Sequence, residues 1–104
     1  MIIIRNICHD IKEKIHDSDK DIRKAIELKY EYPTLANDYY EFSVERMQEA
    51  LDLHSEVMKI IEEYSRKQEG EPNETMRNLW EFEHKIIIEQ SEDVKILQEH
   101  YNKL

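Results

Sequence analysis

Only two places in this chain of 104 residues carry helix-breaking residues, Tyr32-Pro33 and Gly70-Glu71-Pro72. One glycine and two prolines leave almost no turn punctuation, whereas an all-β sandwich or barrel needs a turn signal about every ten residues. The chain is therefore expected to be all-α, a single helical domain of three long segments joined by two short breaks. Pro33 and Pro72 suit the first turn of a following helix, where the missing N–H costs nothing. Gly70 suits the end of the helix before it, and Asn73 suits an N-cap. No internal repeat suggests a solenoid.

Hydrophobic spacing supports the same division. In the first segment Ile4, Cys8, Ile11, Ile15, Ser18, Ile22, Ala25 and Lys29 recur at alternating steps of four and three, which is one face of a helix packed coiled-coil fashion. Ser18 is the soft spot of that stripe. The second segment repeats the spacing through Tyr40, Ser43, Met47, Ala50, His54, Val57, Ile61 and Tyr64, widened by Tyr39, Phe42, Leu51 and Met58. The third runs through Met76, Trp80, Glu83, Ile87, Gln90, Val94, Leu97, Tyr101 and Leu104, so Glu83 and Gln90 interrupt it.

Such short connections force sequential helices to lie antiparallel, giving an up-down-up hairpin of about 30, 36 and 32 residues. Turns centred near residues 33 and 70 also fix the levels. A residue of the second helix faces first-helix residues whose numbers bring the sum to about 66, and third-helix residues that bring it to about 141. Ile86, Ile87 and Ile88 point in three directions, more apolar surface than two neighbours can cover. Completion of the core by self-association, most simply as a homodimer, is expected.

Charge excludes some functions. Twenty-four acids against fifteen bases give a net charge of -9, which opposes direct binding to a nucleic-acid backbone. The longest apolar run, Met1 to Ile4, is far too short to cross a bilayer or to form a secretory core. Cys8 has no partner within the chain, so reducing surroundings and a soluble, cytoplasmic protein are the expectation. Its place on the first stripe suits a small packed residue.

The acids are unevenly spread. Residues 33–69 hold nine acids and four bases, whereas residues 1–32 hold seven of each. Asp38, Glu41, Glu45, Glu49, Asp52 and Glu56 step by three or four along one stripe of the second helix, with Arg46 the one base in that span. Such a stripe is either a solvated face or a docking surface for a basic partner. Successive acids lie about 5 Å apart along the axis, close to the phosphate spacing of a nucleic-acid strand, so a protein that ordinarily binds phosphates would fit.

Glu81 and His84 form an E-x-x-H, half of the set that di-iron carboxylate bundles use. The matching place in the second helix reads Glu45-x-x-Gln48, and Gln48 cannot replace an imidazole. Glu45 also faces residue 96 rather than 81. The levels instead bring His54 within a turn of His84 and Glu83, and within a turn of His9 and Cys8. His9, His54 and His84 with Glu81 or Glu83 are thus the candidate metal ligands, of a kind that suits zinc or iron. A lone histidine in an apolar stripe is otherwise hydrogen-bonded to a buried Glu or Gln. His16 and His100 are expected at the surface. The tyrosines at 30, 32, 39 and 40 surround the first break, where they staple the turn or anchor a partner. No nucleophile triad, glycine-rich phosphate loop or basic patch is present, so no catalytic residue is assigned.

The stretch YPTLANDYYEFSVERMQEALDLHSEVMKIIEEY, followed by MRNLWEFEHKIII, resembles the small ferritin-like helical proteins of bacteria and phages. The likeness covers residues 30 to 100 and rests on a proline-led helix, paired tyrosines and a late L-H. It implies a ferritin-like bundle in which Glu45, Glu81 and His84 stand at family metal positions. The function expected is an acidic protein–protein interaction module without a cofactor, for example a phage-type inhibitor of a basic or nucleic-acid-binding partner. The alternative is a non-haem oxidoreductase or storage protein whose zinc or iron site is shared between subunits.

Overall fold

The computed structural model describes residues 2–67 and 74–104, which form three helices and no strand: α1 (Ile2–Leu28), α2 (Pro33–Lys67) and α3 (Glu74–Lys103). None of the described helices is long and apolar enough to cross a membrane. The break at Gly70 to Pro72 and the expected cap at Asn73 lie outside the described residues. At the first break Pro33 opens α2 as the spacing predicts. The Ala36 N–H donates to the Tyr32 carbonyl at 2.8 Å, and the Tyr32 N–H donates to the Leu28 carbonyl at 2.9 Å. Proline at the first helical position forfeits no intrahelical bond and fixes the entry angle.

The helices run up, down and up in a rod of 59 × 19 × 17 Å. Buried positions recur every seventh residue: Ala36, Ser43, Ala50 and Val57 on α2, and Trp80, Ile87, Val94 and Tyr101 on α3. Helix α1 carries two such series, Ile4, Ile11, Ser18 and Ala25 beside Cys8, Ile15 and Ile22, because it serves both neighbours. The α2 series is small, and it lets α2 lie close against α1 over most of its length. The α3 series includes an indole and a phenol, which hold that helix further out. Accordingly α3 packs on α1 and has little backbone proximity to α2.

Two apolar clusters result, and a polar layer divides them. Ile4, Cys8, Ile11, Ile15, Ala50, Val57, Trp80, Ile87 and Val94 form the larger cluster, and Ile22, Ala25, Ala36 and Tyr101 the smaller. Between them Ser18 and Ser43 are fully buried, each 0% exposed. Ser43 Oγ donates to the Ser18 carbonyl at 2.9 Å, while the Ser18 hydroxyl lies 2.6 Å from the Ser43 carbonyl and 2.8 Å from Ser43 Oγ. Gln98 Nε2 donates to Ser43 Oγ at 3.1 Å, so all three helices meet in this layer. The soft spot of the first stripe is thus one half of a reciprocal hydrogen-bonded pair.

The levels can now be measured. Ser43–Gln98 and the stacked rings of Tyr40–Tyr101, centroids 4.8 Å apart, both match the expected sum of about 141. Ser18–Ser43 and the 2.6 Å ion pair Lys14–Glu49 fall a few residues below the expected sum of about 66. The cause is the position of the turn: α1 stops at Leu28 and α2 starts at Pro33, so the reversal is centred before the proline. Lys29 closes this end with its Nζ 4.0 Å from the Tyr101 ring centroid.

Ser43→Ala removes the hydroxyl that donates to the Ser18 carbonyl and accepts from Gln98, and leaves the Gln98 amide short of an acceptor, while the Ser18 hydroxyl keeps the Ser43 carbonyl. A loss of about 1–3 kcal/mol in urea unfolding is expected. The double variant Ser18→Ala, Ser43→Ala is expected to lose less than the sum of the single changes, because both members of the pair go together. Strict additivity would show that the two hydroxyls are energetically independent.

Candidate functional site

Histidines 54 and 84 meet between α2 and α3. His54 Nε2 lies 3.2 Å from His84 Nδ1, so one nitrogen carries the proton that the other accepts. Trp80, one turn before His84, has its ring centroid 4.9 Å from that of His84 and 5.4 Å from that of His54. Both imidazoles are half-buried. The partner of His54 is therefore another histidine rather than the Glu or Gln expected of a core imidazole. Burial first, and His84 second, hold the His54 pKa below its ordinary value.

His9 does not join this pair. Its imidazole is largely exposed and lies 3.2 Å from Glu13 on the outer face of α1. The residue at the buried position of that level is Cys8, and one residue along a helix turns a side chain by about 100°. Glu83 turns the other way, onto α1, where Lys12 Nζ meets its carboxylate at 2.6 Å. Glu81 is exposed. Among the described residues no group of three or more His, Cys, Asp or Glu side chains converges as a metal site. Two of the proposed ligands, His54 and His84, are brought together, and His9 is not. The Cys8 thiol is pushed up by burial and by Glu83, with Lys12 opposing, which keeps it in the unreactive thiol form.

The acidic stripe lies on the flank of α2 that borders α1 and solvent. Asp38, Glu41, Glu45, Asp52 and Glu56 are exposed. Glu49 is drawn inward by Lys14 at 2.6 Å and Arg46 at 3.0 Å, and the Lys14 bond leads the causes that lower its pKa. Neutral donors hold two more acids, Asn37 to Glu41 at 3.4 Å and Gln48 to Asp52 at 3.1 Å. The tyrosines around the turn divide: Tyr39 and Tyr40 pack into the smaller cluster, whereas Tyr30 and Tyr32 face solvent. His16 and His100 are exposed, as expected.

The neighbouring flank of α2 differs. Because α3 stands off from α2, a groove of about 630 Å³ runs between them, floored by Ile11 and Ile15 of α1 and walled by Met47, Leu51, Ile87 and Ile88. His54 and His84 lie at its base. The three adjacent isoleucines separate as their spacing predicts, Ile87 buried, Ile86 half-buried and Ile88 exposed at the groove edge. Val44 is the residue that the stripe analysis missed. It completes a series with Leu51 and Met58 at intervals of seven, which is the signal that marks a second seam on α2.

Comparison of the chain with protein-family models, with curated proteins and with solved structures finds no match.

The His54 environment gives stability a pH dependence of definite sign. In the unfolded chain His54 titrates near its ordinary 6.5, and in the folded protein it titrates lower. Between those two values the unfolded state binds more protons, so this contribution is complete above the unfolded value and is lost as pH falls from there through the folded value. His54→Gln is expected to flatten the decline in urea midpoint between about pH 7.5 and 5. Fluorescence of Trp80, the one tryptophan, should fall as an adjacent imidazole becomes cationic, and the midpoint of that fall should move in the variant. Equal slopes for both proteins would remove His54 as the cause.

Proposed function

We propose that this protein is a non-enzymatic helical interaction module, built on a ferritin-like scaffold, that docks a basic partner along the acidic flank of α2. One observation carries the reading: the exposed surface of α2 is sorted by charge. Asp38, Glu41, Glu45, Asp52 and Glu56 occupy one flank and face solvent, while the other flank is apolar. Exposed like charges at helical spacing repel each other, and the segregation is costly to a lone helix but useful in steering a cationic surface. A basic or nucleic-acid-binding protein, whose cations are spaced to meet phosphates, is the class of partner that this flank suits.

The alternative, a ferritin-like oxidoreductase or storage protein, starts from the two imidazoles of His54 and His84 and needs further ligands from another copy. Elemental analysis of the purified protein separates the two readings. About one zinc or iron per chain, with a melting temperature lowered by chelation, would favour the metal reading.

The test of the docking flank leaves Glu49 in place, since it bridges Lys14 and Arg46. A variant combining Asp38→Asn, Glu41→Gln, Glu45→Gln and Asp52→Asn is expected to keep its helicity and to match or slightly exceed the parent in stability. Used as bait beside the parent protein in a host lysate, it should fail to retain the basic partner that the parent retains. With that partner purified, the association rate should fall on the order of tenfold in the variant, and its salt dependence should flatten. Equal affinity and equal salt dependence would reduce the stripe to a solvated face.

A further inference from the structure

The groove flank of α2 carries an exposed edge without a charged residue. At steps of four and three, Val44, Gln48, Leu51, Ser55 and Met58 form one edge of the helix, and all five are exposed. None is charged, in a sequence of which 38% is charged. The edge spans about 21 Å at 1.5 Å per residue. Its three apolar members keep substantial exposure, Val44 43%, Leu51 55% and Met58 44%, and Ile88 of α3 adds 43% across the groove.

We infer that this edge is a homodimer interface, in which the α2 helices of two copies cross antiparallel about a two-fold axis at Leu51, each ridge seated in the other's groove. Three observations choose a second copy over another occupant. The ridge has the same order in both directions from Leu51: an uncharged polar residue on either side, then an apolar one. A two-fold axis therefore sets Leu51 against its own counterpart, Val44 against Met58, and Gln48 against Ser55, as an isologous contact requires. A molecule with a net charge of -9 meets itself at least cost where its surface carries no net charge; the ridge has no charged member, and the groove that receives it carries one acid and one base, Glu92 and Lys95. The acidic stripe lies about 100° further around α2 and adjoins the ridge where Gln48 donates to Asp52 at 3.1 Å, so its solvent side stays open on pairing. Finally, the groove walls Leu51 and Ile88 and the base residues His54 and His84 stand at the level of the proposed axis, where an incoming leucine finds an apolar seat. The arrangement supplies each copy with the fourth helix that its three helices leave out.

The inference concerns the edge beside the acidic stripe, and its test reads oligomeric state rather than partner capture, so the failure of one is distinguishable from the failure of the other. Light scattering at tens of micromolar should give twice the chain mass of 12.7 kDa. Leu51→Glu places two carboxylates face to face on the axis and should raise the dimer dissociation constant by on the order of 100-fold. Helicity should be unchanged, because Leu51 is already solvent-facing in the single chain. Leu51→Cys should form a covalent dimer under mild oxidation, since residues on the axis of crossing helices come within disulfide range. Glu45→Cys, on the acidic flank, should not, and nor should the parent protein, whose Cys8 is buried. A parent mass of one chain overturns the inference. So does a dimer that survives Leu51→Glu unchanged, or that cross-links as readily from Glu45→Cys as from Leu51→Cys.

Discussion

The serine layer holds this bundle in register. Ser18 and Ser43 are buried without an apolar side chain to justify their place in a core, and each satisfies its hydroxyl on the other's backbone or side chain. If α1 slid along α2 by one heptad, Ser18 would face Ala36 or Ala50, and neither offers a side-chain partner. Each hydroxyl can still reach a backbone carbonyl in a slipped register, so what the slip forfeits is the contact between the two hydroxyls, a hydrogen bond of about 0.5–1.5 kcal/mol, and that loss penalises slipped pairings that the apolar residues around the layer would tolerate. Gln98 extends the same constraint to α3. This is the logic by which a single polar core position fixes register in coiled coils, applied to a pair and its glutamine.

From the layer outward, side-chain size decides the shape. Ala36, Ser43 and Ala50 bring α2 against α1, whereas Trp80 and Tyr101 keep α3 at a distance. Unequal spacing around α1 opens the groove between α2 and α3 and divides the outer surface of α2 into two flanks. One borders α1, where Lys14 answers Glu49 and the remaining acids face solvent. The other borders the groove, where Val44, Leu51 and Met58 are exposed. What each edge of α2 borders follows from the volumes of residues on the buried sides of the helices, whereas the chemistry of the edges is written in the sequence.

The histidines show how far level and direction can be separated. Residue number sets level, and the turn positions were enough to place His54 beside His84. Direction depends on the helical step, and there the expectation for His9 fails, because Cys8 occupies the inward position and turns its neighbour toward Glu13. Glu83 was legible as a break in an apolar stripe. Its pairing with Lys12 rather than with His54 was not, since it depends on which flank of α3 meets α1. The groove was foreshadowed by the surplus isoleucines at 86 to 88, but its place needed the distance between helices.

The sequence by itself determined three helices, the break at Pro33, the heptad seams and the levels at which residues of different helices meet. All of these follow from local propensity and from counting residues along a rise of fixed size. Only the tertiary structure decided that the interruption at Ser18 is answered by Ser43, that α2 lies closer than α3, and that the apolar edge of α2 borders a groove while Glu49 of the acidic edge meets α1. Those outcomes depend on side-chain volume and azimuth across interfaces between helices, where a shift of a few ångströms or a turn of 100° exchanges a buried partner for solvent.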